Sequence, residues 1–285
     1  MKRLKKGLAC LLCLALLLPN VLWAVAEEPP LLIAEEGSGE SAEELLQESA
    51  DDVWLPADTV PTEAAALEVG GKSAILMDQT SGTVLFEKNA HEKLAIASVT
   101  KIMTLLLVME ALDQGRITLE DPVTCSDVAA SMGGSQIWLE PGEIMTVHEL
   151  LKAAAVVSAN DACAALAEHI SGSIEGFVSE MNTRAAELGM NDTLFLDCSG
   201  LSDDAYSSAY DVALMSRELM KHKKITEYTT IWMDTLRDGK SQLVNTNKLV
   251  RHYSGATGLK TGTTSKAGHC LSATAQRDGL ELVAV

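Results

Sequence analysis

Two short runs, Ser73 to Met77 and Thr83 to Lys88, are rich in apolar residues and are separated by Asp78-Gln79-Thr80-Ser81-Gly82. That pattern predicts a β-hairpin. Val99 to Leu112 then reads VTKIMTLLLVMEAL, almost wholly apolar and free of Gly and Pro, and ends just before Asp113-Gln114-Gly115. A helix apolar on every side belongs in the middle of a core, and Gly115 suits the position just past its end. Between Asp121 and Gly142 the periodicity is lost, and Gly133-Gly134 and Pro141-Gly142 mark turns. Helical spacing returns over Val147 to Val157, Asp161 to Ile170 and Ile174 to Leu188, and again over Asp211 to Lys221, where an acidic start and basic end complement the helix dipole. Thr257 to Gly262, Cys270 to Ala275 and Leu280 to Val285 are strand-like runs split by turn residues. Strands at both ends with helices between predict an α+β domain in which an antiparallel sheet joins N- and C-terminal strands against a helical cluster.

The first 71 residues follow a different grammar. Lys2, Arg3, Lys5 and Lys6 precede an apolar run from Gly7 to Leu18, and Ala24-Val25-Ala26 has the small-x-small form of a cleavage site. Residues 1–26 are therefore expected to be a secretory signal peptide, since the apolar run is too short to span a bilayer. Residues 27–71 hold thirteen acidic residues and no Lys or Arg, with Pro29-Pro30 and Gly37-Ser38-Gly39 among them. Such a segment cannot bury enough apolar surface to offset its ordering entropy, so an acidic disordered linker is expected, followed by a folded domain over residues 72–285.

The formal charge of the whole chain, −18 from 22 Lys+Arg and 40 Asp+Glu, argues against a nucleic-acid partner. Without the basic leader and the acidic linker, residues 72–285 carry only −9. At 47% hydrophobic residues the chain as a whole can bury a sizeable core, although its aromatics are only 4%. Cys125, Cys163, Cys198 and Cys270 are widely spaced, and the six His show no metal-ligand spacing. Neither a metal site nor a cofactor is expected; the cysteines read as small buried hydrophobes, with pairing left open for an exported chain.

Three fragments carry candidate chemistry. Ser98-Val99-Thr100-Lys101 opens the apolar helix, and a spacing of three puts Ser98 and Lys101 on one face, where an amine can take the proton of a hydroxyl nucleophile. Ser158-Ala159-Asn160 lies between two helices; Asn160 could equally be a plain cap of the helix from Asp161. Lys260-Thr261-Gly262-Thr263 ends a predicted strand; it could be an ordinary strand exit, or Gly262 could admit a ligand backbone beside a local cation. Each fragment alone has an ordinary explanation, but their conjunction in this order, in an exported chain, is specific.

In these motifs the sequence resembles the serine penicillin-binding and β-lactamase superfamily, and within it the low-molecular-mass D-alanyl-D-alanine carboxypeptidases. Longer phrases extend the resemblance over residues 72–285: Ala97 to Thr104, Ser158 to Ala162, Asp197-Cys198-Ser199-Gly200-Leu201, Tyr206 to Asp211, and Gly255 to Gly262. It implies that Ser98 forms an acyl-enzyme with Lys101 as its base. Ser158 and Asn160 would relay protons and hold the substrate amide, and Lys260, Thr261 and Thr263 would receive a terminal carboxylate beside Gly262. The backbone N–H groups of Ser98 and Thr263 would form the oxyanion hole. Lys260 close to Lys101 would help keep the base neutral. The implied substrate is a peptidoglycan stem peptide ending in D-Ala-D-Ala, with β-lactam antibiotics as covalent inhibitors and an extracytoplasmic location.

Two other readings follow from the same residues. A serine β-lactamase shares the three motifs but needs a deacylating base, for which Glu187 is a candidate; its place at a predicted helix end, before a capping Gly189, makes it a surface residue instead. Relatives continue past the point where this chain stops, so a missing last strand and covering helix, an inactive truncated fragment, and membrane association only through an absent C-terminal segment are also expectations.

Overall fold

The computed structural model describes residues 68–285; the expected signal peptide and nearly all of the expected linker lie outside the described residues. In chain order the elements are β1 (Ala74–Asp78), β2 (Val84–Lys88), α1 (Lys101–Asp113), β3 (Pro122–Thr124), α2 (Asp127–Ala130), β4 (Ile144–Thr146), α3 (Val147–Val156), α4 (Asn160–Ser171), α5 (Ile174–Glu187), α6 (Ala209–Lys221), α7 (Thr226–Thr229), β5 (Met233–Leu236), β6 (Ser241–Val244), α8 (Leu249–His252), β7 (Ala256–Thr264), β8 (Gly268–Arg277) and β9 (Leu280–Ala284). A 3₁₀ turn, Ala97–Thr100, leads directly into α1.

The main sheet has the order β2-β1-β9-β8-β7, antiparallel throughout. The expected joining of the chain ends is literal, because Leu76 registers with Ala284 and Met77 with Val283. The β1–β2 hairpin is closed by Asp78, whose carboxylate accepts the Ser81 N–H at 2.6 Å and hydroxyl at 2.7 Å. β7, at the sheet edge, carries the Lys260-Thr261-Gly262 motif.

α1 fills the role its composition predicts. Every residue from Lys101 to Met109 is buried, so the helix is wrapped on all sides. Its first turn differs from a simple α-helical start, since Ser98 sits in the 3₁₀ turn and the α pattern begins at Lys101. At the other end Gly115 takes φ +66° and donates to Leu112 O, the left-handed ending that glycine permits at least cost. Around α1 several of the helices start on side-chain caps. Thr146 and Glu149 form a reciprocal capping box on α3, and Ser173 and Ser208 cap α5 and α6. The sequence points to Asp211 as the α6 start; Ser208 supplies the cap three residues earlier, and the Asp211 carboxylate instead accepts from Asp192 N and Thr193 Oγ1 at 2.7 Å each.

Cys125, Cys163 and Cys198 are buried and Cys270 is half-buried, and all four are free thiols. They behave as small core residues.

Candidate active site

Ser98 stands where three segments converge. Ala97, just before it, adopts φ +49°, a left-handed conformation that a non-glycine residue enters at some cost and that neighbouring structure must hold. Two glycines do the holding. A Cβ on Gly262 of β7 would lie 2.7 Å from Ile96 O and 2.9 Å from Ser98 N, and a Cβ on Gly200 would lie 1.9 Å from Ala97 O. Only backbone without a side chain can press this closely on both flanks of the Ser98 turn.

Lys101, three residues on, is fully buried. Its Nζ donates to Asn160 Oδ1 and to Ser199 O, each at 2.6 Å, and lies 3.0 Å from Ser98 Oγ. A neutral amine has two N–H bonds and one lone pair, whereas a carbonyl and an amide oxygen can only accept. Asn160 and Ser199 therefore take both N–H bonds of the neutral form, and the lone pair is left facing the Ser98 hydroxyl. Burial pushes the Lys101 pKa below the ordinary lysine range, while the carboxylates of Asp197 and Asp161 pull it back up. Cys163, whose thiol burial pushes up to about 11, and Cys198, pushed up further, stay protonated and contribute no anion near neutral pH.

The Ser158-Ala159-Asn160 connection between α3 and α4 is bent sharply, with Ser158 at φ +64°. Asn160 is not a cap: it is the first residue of α4, and Ala159 precedes it with no capping side chain. Its Nδ2 donates to Gly133 O at 2.6 Å, which fixes the amide so that Oδ1 faces Lys101. Asp161, buried beside it, accepts from the N–H groups of Ile137, Leu139 and Ala162 at 2.9 to 3.2 Å, pinning the irregular 133–139 segment to this loop. The Ser158 hydroxyl is buried with no hydrogen-bond partner among the described residues. Such an orphaned group is costly unless something else engages it.

On the strand side Lys260 is also buried, and its Nζ donates to Thr261 O at 2.9 Å. Burial first, and repulsion from Lys101 second, push its pKa down to about 7. Thr261 Oγ1 donates to Thr246 Oγ1 at 2.7 Å, and Thr263 Oγ1 is 3.3 Å from His269 Nδ1 on the facing residue of β8. Ser98, Lys101 and Asn160 are thus joined directly by hydrogen bonds, while Lys260, Thr261 and Thr263 bond within or beside their own strand.

Four contributors escaped the sequence reading: the carbonyls of Gly133 and Ser199, the carboxylate of Asp161, and Thr246. Backbone carbonyls leave no trace in a sequence. Thr246 does have a local signal, since Asn245 and Asn247 each accept a backbone N–H two residues on and so mark a built turn. Glu187 is where the sequence placed it, at the end of α5, with a side chain 58% exposed and paired with Arg184 at 3.1 Å. Among the described residues there is no cluster of metal-ligating side chains, and no helix is long and apolar enough to cross a membrane.

Comparison with known proteins bears directly on this geometry. The family model described as D-alanyl-D-alanine carboxypeptidase, peptidase S11, matches residues 59–285. The chain is 53% identical over 218 residues to D-alanyl-D-alanine carboxypeptidase DacF of Bacillus subtilis, covering 75% of this chain and 56% of that protein. It is 39% identical over 228 residues to D-alanyl-D-alanine carboxypeptidase DacC of Escherichia coli, covering 77% and 57% respectively. The chain therefore spans little more than half the length of these curated relatives. Among solved structures, ampicillin-bound penicillin-binding protein D2 of Listeria monocytogenes superposes with a TM-score of 0.70 at 31% identity, covering 78% of this chain and 90% of that one.

Proposed function

Because the chain belongs to the D-alanyl-D-alanine carboxypeptidase family of peptidase S11, we propose that it removes the terminal D-Ala from peptidoglycan stem peptides through a serine acyl-enzyme and is inhibited covalently by β-lactams. The observation that carries this reading is the setting of Lys101, with both N–H bonds consumed by acceptors and its remaining lone pair facing Ser98 Oγ at 3.0 Å.

In the proposed reaction Lys101 takes the Ser98 proton as Oγ bonds to the carbonyl carbon of the scissile amide. The oxygen of the tetrahedral intermediate lies against the backbone N–H groups of Ser98 and Thr263. The proton then passes from Lys101 by way of Ser158 to the departing nitrogen, the C–N bond breaks, and D-Ala leaves. Water then attacks the ester carbon as Lys101 accepts its proton, the bond from that carbon to Oγ breaks, and Lys101 returns the proton to Ser98 Oγ as the shortened peptide departs. The orphaned Ser158 hydroxyl is suited to this relay, since it lies two residues before Asn160 in the same tight connection and lacks a competing partner among the described residues. Lys260, with Thr261 and Thr263, holds the terminal carboxylate; a buried lysine on the strand that carries the two threonines suits an anion that a net-negative protein would otherwise repel.

Further parts of this proposal are that residues 1–26 are an export signal, that 27–71 are a linker, and that residues 72–285 act outside the cytoplasm at the cell envelope.

The test is acylation by a labelled penicillin together with release of D-Ala from a peptide ending in D-Ala-D-Ala. Ser98→Ala is expected to abolish both, and labelling that persists in this variant removes Ser98 from its role. Fast nitrocefin turnover without D-Ala release would favour a β-lactamase instead.

A further inference from the structure

Asn160 owes its orientation to Gly133 O, which raises the question of what aims the second acceptor, the Ser199 carbonyl. Residues 197–202 contain no helix or strand that would do so. The Asp197 carboxylate does it instead. It accepts the N–H of Ser199 at 2.6 Å, the Ser199 hydroxyl at 3.1 Å, the N–H of Leu201 at 3.3 Å and of Ser202 at 2.6 Å, and also the Gly200 N–H. The loop is wound around one anion. α1 ties the same loop down through Thr104 Oγ1, which donates to Cys198 O at 2.6 Å, and Gly200 seats it on Ala97 O, one residue before Ser98.

We propose that Asp197 is a positioning residue for acylation, holding the Ser199 carbonyl on Lys101 so that the amine lone pair stays on Ser98 Oγ. The inference rests on the reading of Lys101 as the base. An ordinary turn of this shape needs only a neutral acceptor such as Asn or Ser. Placing a charge in a half-buried site is costly unless its neighbours compensate. Here burial pushes the Asp197 pKa up, but the N–H groups of Ser202, Ser199 and Gly200 outweigh it and the net shift is down, so the group is an anion at neutral pH. That charge has a second use. When Lys101 takes the serine proton it becomes an ammonium in a dry site, and Asp197 stabilises it from behind the Ser199 peptide. The groups facing Lys101 are Asp161 and Cys163 from α4, Asp197 and Cys198 from this loop, and Lys260 from β7. Both thiols stay neutral, so the two carboxylates are the anions that offset Lys260.

The test is the second-order rate of acylation by a labelled penicillin as a function of pH, for the full chain and two variants, with thermal unfolding recorded for each. Asp197→Asn keeps an acceptor but removes the charge. It is expected to slow acylation about tenfold to a hundredfold and to move the acid limb of the profile to lower pH by about half a unit or more, because Lys101 then loses its proton more readily. Thr104→Val loosens the same loop without changing charge and is expected to lower the rate with the acid limb unmoved. Wild-type rates in both variants would overturn the proposal, as would a loss in Asp197→Asn that tracks the unfolded fraction while the active remainder keeps the wild-type profile. Lys101→Ala separates the premise from the inference: full acylation there refutes Lys101 as the base, whereas its loss beside an unaffected Asp197→Asn refutes only the role of Asp197.

Discussion

The two halves of the site each bury a lysine, and they treat it differently. On the helix side Lys101 donates to two acceptors on different segments, faces Ser98 Oγ with its lone pair, and is offset by two nearby carboxylates. On the strand side Lys260 has a hydrogen bond to Thr261 O, the carbonyl of the next residue, and repulsion from Lys101 as its principal Coulombic influence. The difference matches opposite requirements. A base must be neutral and held in one direction, whereas a carboxylate receptor must be charged and keep N–H bonds available. Burial lowers both pKa values, so the proposed reaction needs Lys101 to have lost its proton while Lys260 keeps its own, which a bound carboxylate favours by pairing with the ammonium.

Removing each lysine in turn is the strongest way to break this comparison. Lys101→Met should cost about 10²- to 10⁴-fold in the rate of acylation by penicillin, measured by stopped-flow quenching, with the fold intact. Lys260→Met should act mainly on KM for a peptide with a free terminal carboxylate. If the two variants show the same split between kcat and KM, the division of labour fails.

Next in size are the two glycines that flank Ser98, one on each side. Gly200→Ala puts a Cβ 1.9 Å from Ala97 O at φ +83°, and Gly262→Ala puts one 2.7 Å from Ile96 O. The first should destabilise by about 2 to 4 kcal/mol and the second by less, read from denaturant unfolding.

A pH titration sharpens the comparison further. Folded Lys260 titrates at about 7 against an ordinary value of 10.5, so above pH 7 the folded chain has released a proton that the unfolded chain still holds. Its penalty on stability is full below pH 7 and fades as pH rises towards 10.5. Wild-type stability should therefore rise more over that window than that of Lys260→Met, while KM for the carboxylate substrate should climb above pH 7 as the receptor loses its charge.

The smallest effect is expected at Glu187. Its exposed pair with Arg184 is worth at most about 1 kcal/mol, and Glu187→Gln should leave acyl-enzyme breakdown unchanged. A stalled acyl-enzyme in that variant would restore the β-lactamase reading.

Much of the scaffold was legible from residue order. The hairpin predicted over 73–77 and 83–88 forms at 74–78 and 84–88, and the apolar run predicted as a central helix is one, because alternation and all-round apolarity encode burial locally. Asn160 shows where that legibility stops. By local grammar it is a cap, yet its amide is drawn to a lysine 59 positions earlier, and the first turn of α4 goes without a side-chain cap. Asp211 likewise reads as a helix start but binds residues 18 and 19 positions away.

The sequence by itself determined the element types, the α+β class, and the three short fragments that bear Ser98, Lys101, Asn160 and Lys260, since these depend on periodicity and spacing within a few residues. Only the tertiary structure decided which carbonyls hold the Lys101 amine, which carboxylates offset its burial, and which of two buried lysines is fully satisfied. Those are matters of desolvation and hydrogen-bond direction, set by groups up to 98 positions apart that meet only when the chain has folded.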